Sequence, residues 1–166
     1  GEHDIDEPPS ERVTHRIVDL AVRPHATISE AAEATLLDAD LIVLGPGDLY
    51  NSVLANCVVD GVPEAIRNSP AKLVCICNLM TKLGQTSGLG VTEHVREIER
   101  YVGRVPDAVL VNTGSFPADL LERYAKDGEF PVRFDYEADD TRIIPADLLA
   151  TEAVQTASGD VLKRSL

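Results

Sequence analysis

The sequence contains no tryptophan, one methionine and few other aromatic residues, namely four tyrosines and three phenylalanines. Basic residues are also scarce: 15 lysines and arginines stand against 28 acidic residues, for a formal net charge of −13. Proteins that bind nucleic acid broadly use a positive surface to neutralise phosphates, so this charge argues against that class. A small anion pocket is still compatible with it, because helix N-termini and main-chain N–H groups bind phosphate without net positive charge.

Long apolar runs are missing as well. No stretch approaches the roughly 18 apolar residues that a membrane-spanning helix needs. Residues 1–12 are polar, contain two prolines and lack the pattern of a signal peptide. We expect an extended or loop conformation there, no membrane span, and a cytoplasmic location.

The three cysteines, Cys57, Cys75 and Cys77, show neither a C-x-x-C motif nor paired Cys/His spacing. Such spacing would be expected for zinc or redox sites, so we interpret the thiols as small core residues. In LVCICN, Cys75 and Cys77 alternate with apolar residues, which places both on one face of a buried strand.

The hydrophobic pattern predicts a single α/β domain over residues 1–166, with a parallel sheet and helices on both faces. Short, fully apolar strands are typical of a parallel sheet that helices cover on both sides. Ser29, Thr92 and Pro117 mark predicted helix starts, and Gly103 and Gly128 mark helix ends. The predicted strands are Val13–Val22, Leu41–Leu44, Leu73–Cys77 and Ala108–Val111.

The last three strands end in small or amide residues, in the segments GPGDLYNS, NLMTKLGQTSG and NTGS. Carboxyl ends of parallel strands meet at one edge of a sheet, where ligands bind. Glycine, asparagine and serine are also common in ordinary strand-to-helix turns. Three such ends together favour a ligand site.

In the first segment, Gly45 and Gly47 permit positive φ angles or close backbone approach. Asp48, Asn51 and Ser52 offer hydrogen-bonding groups before an apolar helix, where a phosphate could bind N–H groups. The segment is neither a P-loop nor a dinucleotide fingerprint. Because Asp48 would repel a phosphate unless a metal or proton intervenes, a capping role is an equally good interpretation of it.

The second segment forms a long polar loop typical of a lid or specificity element. Lys82 could contact a phosphate, although a single loop lysine is usually only solvated. His94, in a helix first turn, is interpreted as a packing or surface residue. Spacing alone assembles no Ser-His-Asp or Cys-His set, so no catalytic residue is predicted.

Two segments, GPGDLYNSVLAN and CNLMTKLGQTSGLGVTEHV, resemble the YvcK/CofD-like family (UPF0052, the putative gluconeogenesis factors). The family pattern runs roughly ADLIVLGPGSLYTSxLPN, then CNxMTQPGETDGYTxxDHV, at a similar separation. The similarity extends from about Gly1 to Pro145, and the Gly1-Glu2 dipeptide resembles a GES segment of that family.

The resemblance implies a Rossmann-like fold with a nucleotide-ligand site at the strand ends. YvcK-type members are associated with UDP-sugar binding, carbon metabolism and cell morphogenesis. CofD-type members are 2-phospho-L-lactate transferases of coenzyme F420 biosynthesis that use a guanosine-diphosphate-linked donor and magnesium. Both loops match the YvcK branch better. By position, the resemblance places Gly45, Gly47, Asp48, Asn51 and Ser52 along the phosphates and Asn78, Thr81 and Thr86 on the facing loop.

Asn112 and Gly114 are added to the pocket rim from their position after a strand. The sequence departs from the family pattern at several site positions: Asp48 replaces Ser, Asn51 replaces Thr, Lys82 replaces Gln, and Gln85 replaces Glu. The family's Gly-rich first phosphate turn has no counterpart, and the usual His-Asp ending is absent. We therefore expect about the C-terminal half of a CofD-like domain, with an unsatisfied sheet edge that favours pairing or homo-oligomerisation.

Three functional hypotheses follow. The leading one is a YvcK-like regulatory protein that binds a nucleotide-sugar without chemistry and needs no certain cofactor. The second is a CofD-type transferase with a nucleoside diphosphate donor and Mg²⁺, whose metal ligands the sequence does not identify. The third is a structural half-domain without a ligand.

Overall fold

The computed structural model describes Ile5 and residues 16–149, 154–156 and 159–161. Predictions for residues 1–4 and 6–15, the Gly1-Glu2 dipeptide among them, and for residues 162–166 lie outside the described residues. Along the chain the elements are α1 (Glu30–Leu37), β1 (Leu41–Leu44), α2 (a π-helical segment Leu49–Leu54 continuing as Ala55–Cys57), α3 (Val62–Asn68), β2 (Lys72–Ile76), α4 (Val91–Val102), β3 (Ala108–Asn112), α5 (Ala118–Lys126), β4 (Ile143–Ala146), β5 (Val154–Thr156) and β6 (Gly159–Val161).

Four strands form one sheet in the order β1-β2-β3-β4, and each neighbouring pair is parallel. The register aligns Val43 with Val74, Val74 with Ala108, and Leu110 with Ile144. Helices connect consecutive parallel strands, as such strands require. The predicted Rossmann-like α/β fold is confirmed. β5 and β6 pair antiparallel as a separate two-stranded sheet.

Helix ends follow local chemistry. Ser29 caps α1 as predicted, because its Oγ accepts from Ala32 N at 3.3 Å. α4 begins two residues earlier than predicted, since Gly90 rather than Thr92 is the N-cap and Glu93 Oε2 accepts from Gly90 N. Gly103 ends α4 with φ +70°, in the left-handed conformation that glycine tolerates.

Most of the core lies between one face of the sheet, here called the inner face, and helices α2 to α4. Strand residues alternate between faces, so Ile42, Leu73, Cys75 and Val109 share this side. Cys75 and Cys77 are both 3% exposed, so their predicted burial is confirmed. The core residues that the helices contribute are Leu49, Tyr50, Leu54, Cys57, Ile66, Val91, Val95, Ile98 and Val102.

The predicted strand over residues 13–22 is wrong for its described part. Residues 16–22 form no strand, although Ile17 and Leu20 pack against the core. The alternating apolar pattern therefore reflects partial burial of a segment that pairs with no strand among the described residues. Among the described residues, no helix combines the length and apolarity needed to cross a membrane.

Asp107 links β2 to β3 through hydrogen bonds, at the end of the sheet opposite the loop Gly45–Gly47 that follows β1. Its carboxylate accepts from Leu73 N at 2.9 Å, Lys72 Nζ at 3.0 Å and Arg104 Nη2 at 2.9 Å. The hydrogen bond from Leu73 N and then the one from Lys72 lower the pKa of Asp107 to about 2. Arg104 also donates to Ile66 O and Ala71 O, which ties α3 to the same point.

We predict that Asp107→Asn lowers the free energy of unfolding at pH 7 by about 1–2 kcal/mol, as expected for losing charge-assisted hydrogen bonds at a partly exposed site. A depressed carboxyl pKa stabilises the fold above the unfolded-state pKa of about 4, and this contribution disappears as pH falls towards 2. Urea denaturation should show the full difference at pH 6–7 and a shrinking difference below pH 4. Asp139→Asn, at an exposed position, is the control. If it lowers the free energy of unfolding as much as Asp107→Asn does, the stabilising role assigned to Asp107 is wrong.

Candidate functional site at the strand ends

The carboxyl ends of the four strands lie along one edge of the sheet because all four run in the same direction. The loop Gly45–Gly47 follows β1, Asn78 follows β2 closely, Asn112 ends β3, and Asp147 follows β4. This edge is where open α/β sheets bind ligands. The structure thus brings together the three strand-end segments that the sequence pattern singled out.

The loop after β1 has no room for side chains at its two glycines. Gly45 has φ +95°, and a Cβ built there would lie 2.9 Å from Ile76 O. A Cβ on Gly47 would lie 2.8 Å from Ser52 Cβ. The close packing therefore requires glycine at both positions, and Pro46 between them is the exposed residue of the loop.

The start of α2 shows how Asp48 is used. Its main-chain oxygen accepts from Ser52 N at 3.0 Å and Val53 N at 3.1 Å, while its side chain makes no capping hydrogen bond. Asp48 thus occupies the N-cap position that the capping interpretation expects, but its main-chain oxygen rather than its carboxylate accepts the hydrogen bonds there. Asp48 and Asn51 are half-buried at the loop, and Ser52 is exposed.

Two asparagine side chains tie neighbouring strand ends together. Asn78 Nδ2 donates to Gly47 O at 3.0 Å, which links the loops after β2 and β1. Asn112 Oδ1 accepts from Gly114 N at 3.1 Å and Leu148 N at 2.9 Å, and its Nδ2 donates to Gly114 O. Asn112 therefore holds the β3 and β4 ends in place, and Gly114 lies where a Cβ would collide with the Asp147 carboxylate.

The loop after β2 is fastened by its threonines. Thr81 N donates to Phe130 O at 2.7 Å and Thr81 Oγ1 accepts from Phe130 N at 3.0 Å. Thr86 Oγ1 accepts from Lys82 N at 2.8 Å and closes the turn. Both threonines are buried, so their hydroxyls determine the shape of the loop.

Four charged side chains, those of Lys82, Glu129, Asp127 and Asp48, interact beside these loops. Lys82 Nζ lies 3.5 Å from Glu129 Oε1, in a pair that is largely shielded from solvent. Burial raises the pKa of Glu129 above its usual value; Lys82 opposes this, and the nearby charges of Asp127 and Asp48 reinforce it. Lys82 is thus the cation of an acidic cluster.

Sequence reasoning did not identify Glu129, which lies 47 residues beyond Lys82 in no motif. It also passed over Gln85 as a site residue. Gln85 is 4% exposed, and neither its Nε2 nor its Oε1 has a hydrogen-bond partner among the described residues. The sequence did offer one signal for Gln85, because this residue stands where the family pattern has a glutamate.

His94 is buried, as the packing interpretation expects, and its Nδ1 lies 2.8 Å from Gly90 O. Within residues 16–149, no three His, Cys, Asp or Glu side chains come together as a metal ligand set. The described part of the site is therefore made of main-chain groups, amide and hydroxyl side chains, and the charged cluster around Lys82.

We predict that Gly45→Ala destabilises the fold by about 2–4 kcal/mol, since strain at positive φ adds to contact with a main-chain carbonyl. Gly88→Ala is the matched control: its φ is +73°, but nothing lies within 4 Å of the added Cβ, so about 1 kcal/mol is expected. Thermal or urea unfolding of both variants measures the difference. If both variants lose the same free energy of unfolding, the close contact between position 45 and Ile76 O does not contribute to the destabilisation.

Comparison with known proteins identifies the family. Residues 1–149 match the sequence model of the family described as 2-phospho-L-lactate transferase CofD. The putative gluconeogenesis factor of Thermotoga maritima is 41% identical over 160 residues, which cover 96% of this chain and 50% of that protein. The gluconeogenesis factor of Bacillus subtilis is 39% identical over 101 residues, covering 60% of this chain and 32% of that protein.

A crystal structure of a UPF0052 family protein from Bacillus halodurans superposes with a TM-score of 0.84 at 30% sequence identity. The match covers 99% of this chain and 51% of that protein. The chain thus spans about half the length of such relatives. The sequence match over residues 1–149 and the shared fold agree, and the chain belongs to the CofD (UPF0052) family.

Proposed function

We propose that the strand-end site binds the diphosphate of a nucleotide-sugar, and that the protein acts as a cytoplasmic regulator of carbon metabolism and cell morphogenesis rather than as an enzyme. The observation that carries the proposal is the loop Gly45–Gly47 at the strand ends, where atoms of Ile76 and Ser52 leave no room for a side chain on either glycine. The relatives named gluconeogenesis factors support the metabolic role.

The net charge of −13 repels a diphosphate at long range. Hydrogen-bond donors and cations at the site must therefore attract the ligand more strongly than this screened repulsion opposes it. Main-chain N–H groups after β1 and the ammonium of Lys82 are the donors that the described residues offer. Lys82 is held by Glu129 in the described structure. A bound phosphate would compete with Glu129 for Lys82.

The groups around the loop favour binding over catalysis. The carboxylates in the charged cluster are Asp48, Asp127 and Glu129, and Lys82 is paired with Glu129. A neighbouring ammonium disfavours a divalent cation, which needs about six oxygen ligands. The described residues therefore do not fit a magnesium site by themselves, and we assign them no step that depends on one.

A transferase remains the second candidate because the matching family model is described as 2-phospho-L-lactate transferase CofD. It would use a guanosine diphosphate-linked donor, and the carboxylates for magnesium would have to come from outside the described residues. Metal-dependent turnover of such a donor would favour it. A half-domain that binds no nucleotide is the third candidate.

Calorimetric titration with UDP-N-acetylglucosamine and with GDP, each with and without Mg²⁺, distinguishes the three candidate functions. Saturable binding of the UDP-sugar without metal, with the ligand recovered intact, supports the proposal. Binding of GDP only with metal supports the transferase. A folded chain that binds neither, alone or in complex with the remaining half of a family domain, contradicts both.

We predict that Lys82→Ala weakens UDP-N-acetylglucosamine binding about tenfold, the equivalent of about 1.4 kcal/mol. Glu129→Gln should have the opposite effect, because it removes a carboxylate that competes for Lys82 and repels phosphate. Wild-type affinity should also rise as pH falls, since the raised pKa of Glu129 favours its neutral form.

The matched controls are Lys126→Ala and Glu122→Gln, which change the same charges on the exposed surface of α5. Screened surface charges should alter affinity less than twofold. If all four variants shift affinity in proportion to net charge alone, the assignment of Lys82 to the site is wrong.

A further inference from the structure

The start of α2 has an uncommon helical geometry. Residues Leu49–Leu54 are π-helical, and Asp48 O accepts from Ser52 N at 3.0 Å and from Val53 N at 3.1 Å. π-Helices are rare in proteins and are frequent at functional sites. Because an isolated turn favours the tighter α-helical hydrogen bonds, contacts with the rest of the protein have to specify the wider turn.

Tyr50 makes such a contact from inside this turn. Its side chain is part of the main core, at 3% exposure, and its hydroxyl donates to Glu97 Oε2 of α4 at 2.9 Å. Burial and then the hydrogen bond to Glu97 raise the pKa of Tyr50 above its usual value, so the hydroxyl keeps its proton and remains a donor. Hydrogen bonds to a charged acceptor are stronger than those between neutral groups.

Glu97 is itself held by Arg100, which lies one turn further along α4. Arg100 Nη1 lies 3.6 Å from Glu97 Oε2, the oxygen that accepts from Tyr50. Arg100 Nη2 donates to Val18 O at 2.6 Å, so the guanidinium also contacts the segment that precedes α1. The carboxylate of Glu97 therefore lies between a cation and the phenol, and it offers Tyr50 an oriented acceptor.

The two helices that this hydrogen bond joins both begin at the strand-end site. α2 follows the loop Gly45–Gly47, and α4 follows the loop 78–90. At the sheet edge the same two loops are linked by Asn78 Nδ2, which donates to Gly47 O at 3.0 Å. The contact between Tyr50 and Glu97 is thus a second link, and together the two links fix the direction of the first turn of α2.

From this geometry we infer that Tyr50 is a positioning residue of the strand-end site. Its hydrogen bond to Glu97 holds the first turn of α2 against α4, so that the main-chain N–H groups after β1 are oriented before a diphosphate binds. Donors that are oriented in advance bind more tightly, because less order has to be created on binding. The inference rests on the proposed function, since it concerns the donors assigned there to the diphosphate. Tyr50 acts through these groups and does not touch the ligand.

Tyr50→Phe tests this role, because it removes the hydroxyl and keeps the buried ring. Titrations with uridine and with UDP, followed by NMR, give the factor by which the diphosphate strengthens binding. Tyr50→Phe should reduce this factor about fivefold and leave the affinity for uridine within about twofold of the wild-type value. A loss of stability alone would not change the factor, since both ligands are measured on the same folded protein. An unchanged factor overturns the inference.

Substitutions of Glu97 test whether the hydroxyl acts through this carboxylate. Glu97→Ala should reduce the factor as much as Tyr50→Phe does, and the double variant should reduce it no further, because both changes remove the same contact. Glu97→Gln keeps an acceptor oxygen and should restore most of the factor. The controls are Tyr136→Phe, at a half-buried tyrosine on the same core, and Glu99→Ala, at an exposed position of α4. Additive losses in the double variant, or equal losses in the controls, overturn the inference.

Hydrogen exchange tests the positioning without any ligand. The amides of Ser52 and Val53, which donate to Asp48 O, should exchange about tenfold faster in Tyr50→Phe than in the wild-type protein. The amide of Cys77, which donates to Leu110 O within the sheet, should not change. If the wild-type protein binds neither uridine nor UDP, the proposed function fails and the exchange rates alone decide about Tyr50. Unchanged exchange at residues 52 and 53 overturns the inference.

Discussion

Parallel pairing of the four strands in chain order is the constraint on which the other features depend. Because every strand runs in the same direction, every connection has to return through a segment that carries a helix. The four carboxyl ends then come together at one edge, although the segments lie up to about 100 residues apart in the sequence. The loops Gly45–Gly47, 78–90 and 112–114 become neighbours for this reason.

Polar side chains form hydrogen bonds between neighbouring segments at both ends of the sheet. Asp107 and Arg104 do so at one end, and Asn78 and Asn112 do so at the other. Buried amides and carboxylates need partners, and here main-chain groups of the neighbouring loop provide them. Several residues expected to contact a ligand, Thr81, Thr86 and Asn112 among them, therefore have side chains already engaged in shaping the site.

Under the proposed function, local groups rather than the net charge of the protein would bind the anion. Long-range repulsion from the net charge is screened over about 8–10 Å in physiological salt, whereas contacts at a loop act within 3 Å. Main-chain N–H groups carry no compensating counterion and do not depend on net charge. The Lys82–Glu129 pair adds a cation whose availability depends on the protonation of its partner.

Local sequence patterns determined much of this protein. The apolar runs LIVL, LVCIC and AVLV predicted three of the four strands of the main sheet, and Ser29 and Gly103 marked helix ends, because these signals act within a few residues. β4 was missed, since Ile143–Ala146 is short, half exposed and contains a proline that an edge position tolerates. Residues 16–22 have strand-like alternation but pair with no strand in the part of the chain that the structure describes.

The sequence by itself determined the fold class, the segments at the strand ends and the absence of side chains at Gly45 and Gly47. Only the tertiary structure decided what the polar residues do. In the tertiary structure, Asn112 and Thr81 make hydrogen bonds that join neighbouring loops. The Asp48 carboxylate makes no capping hydrogen bond, and Glu129 lies beside Lys82. The physical reason is distance along the chain: propensity and periodicity act over one or two turns, whereas these pairings join residues tens of positions apart.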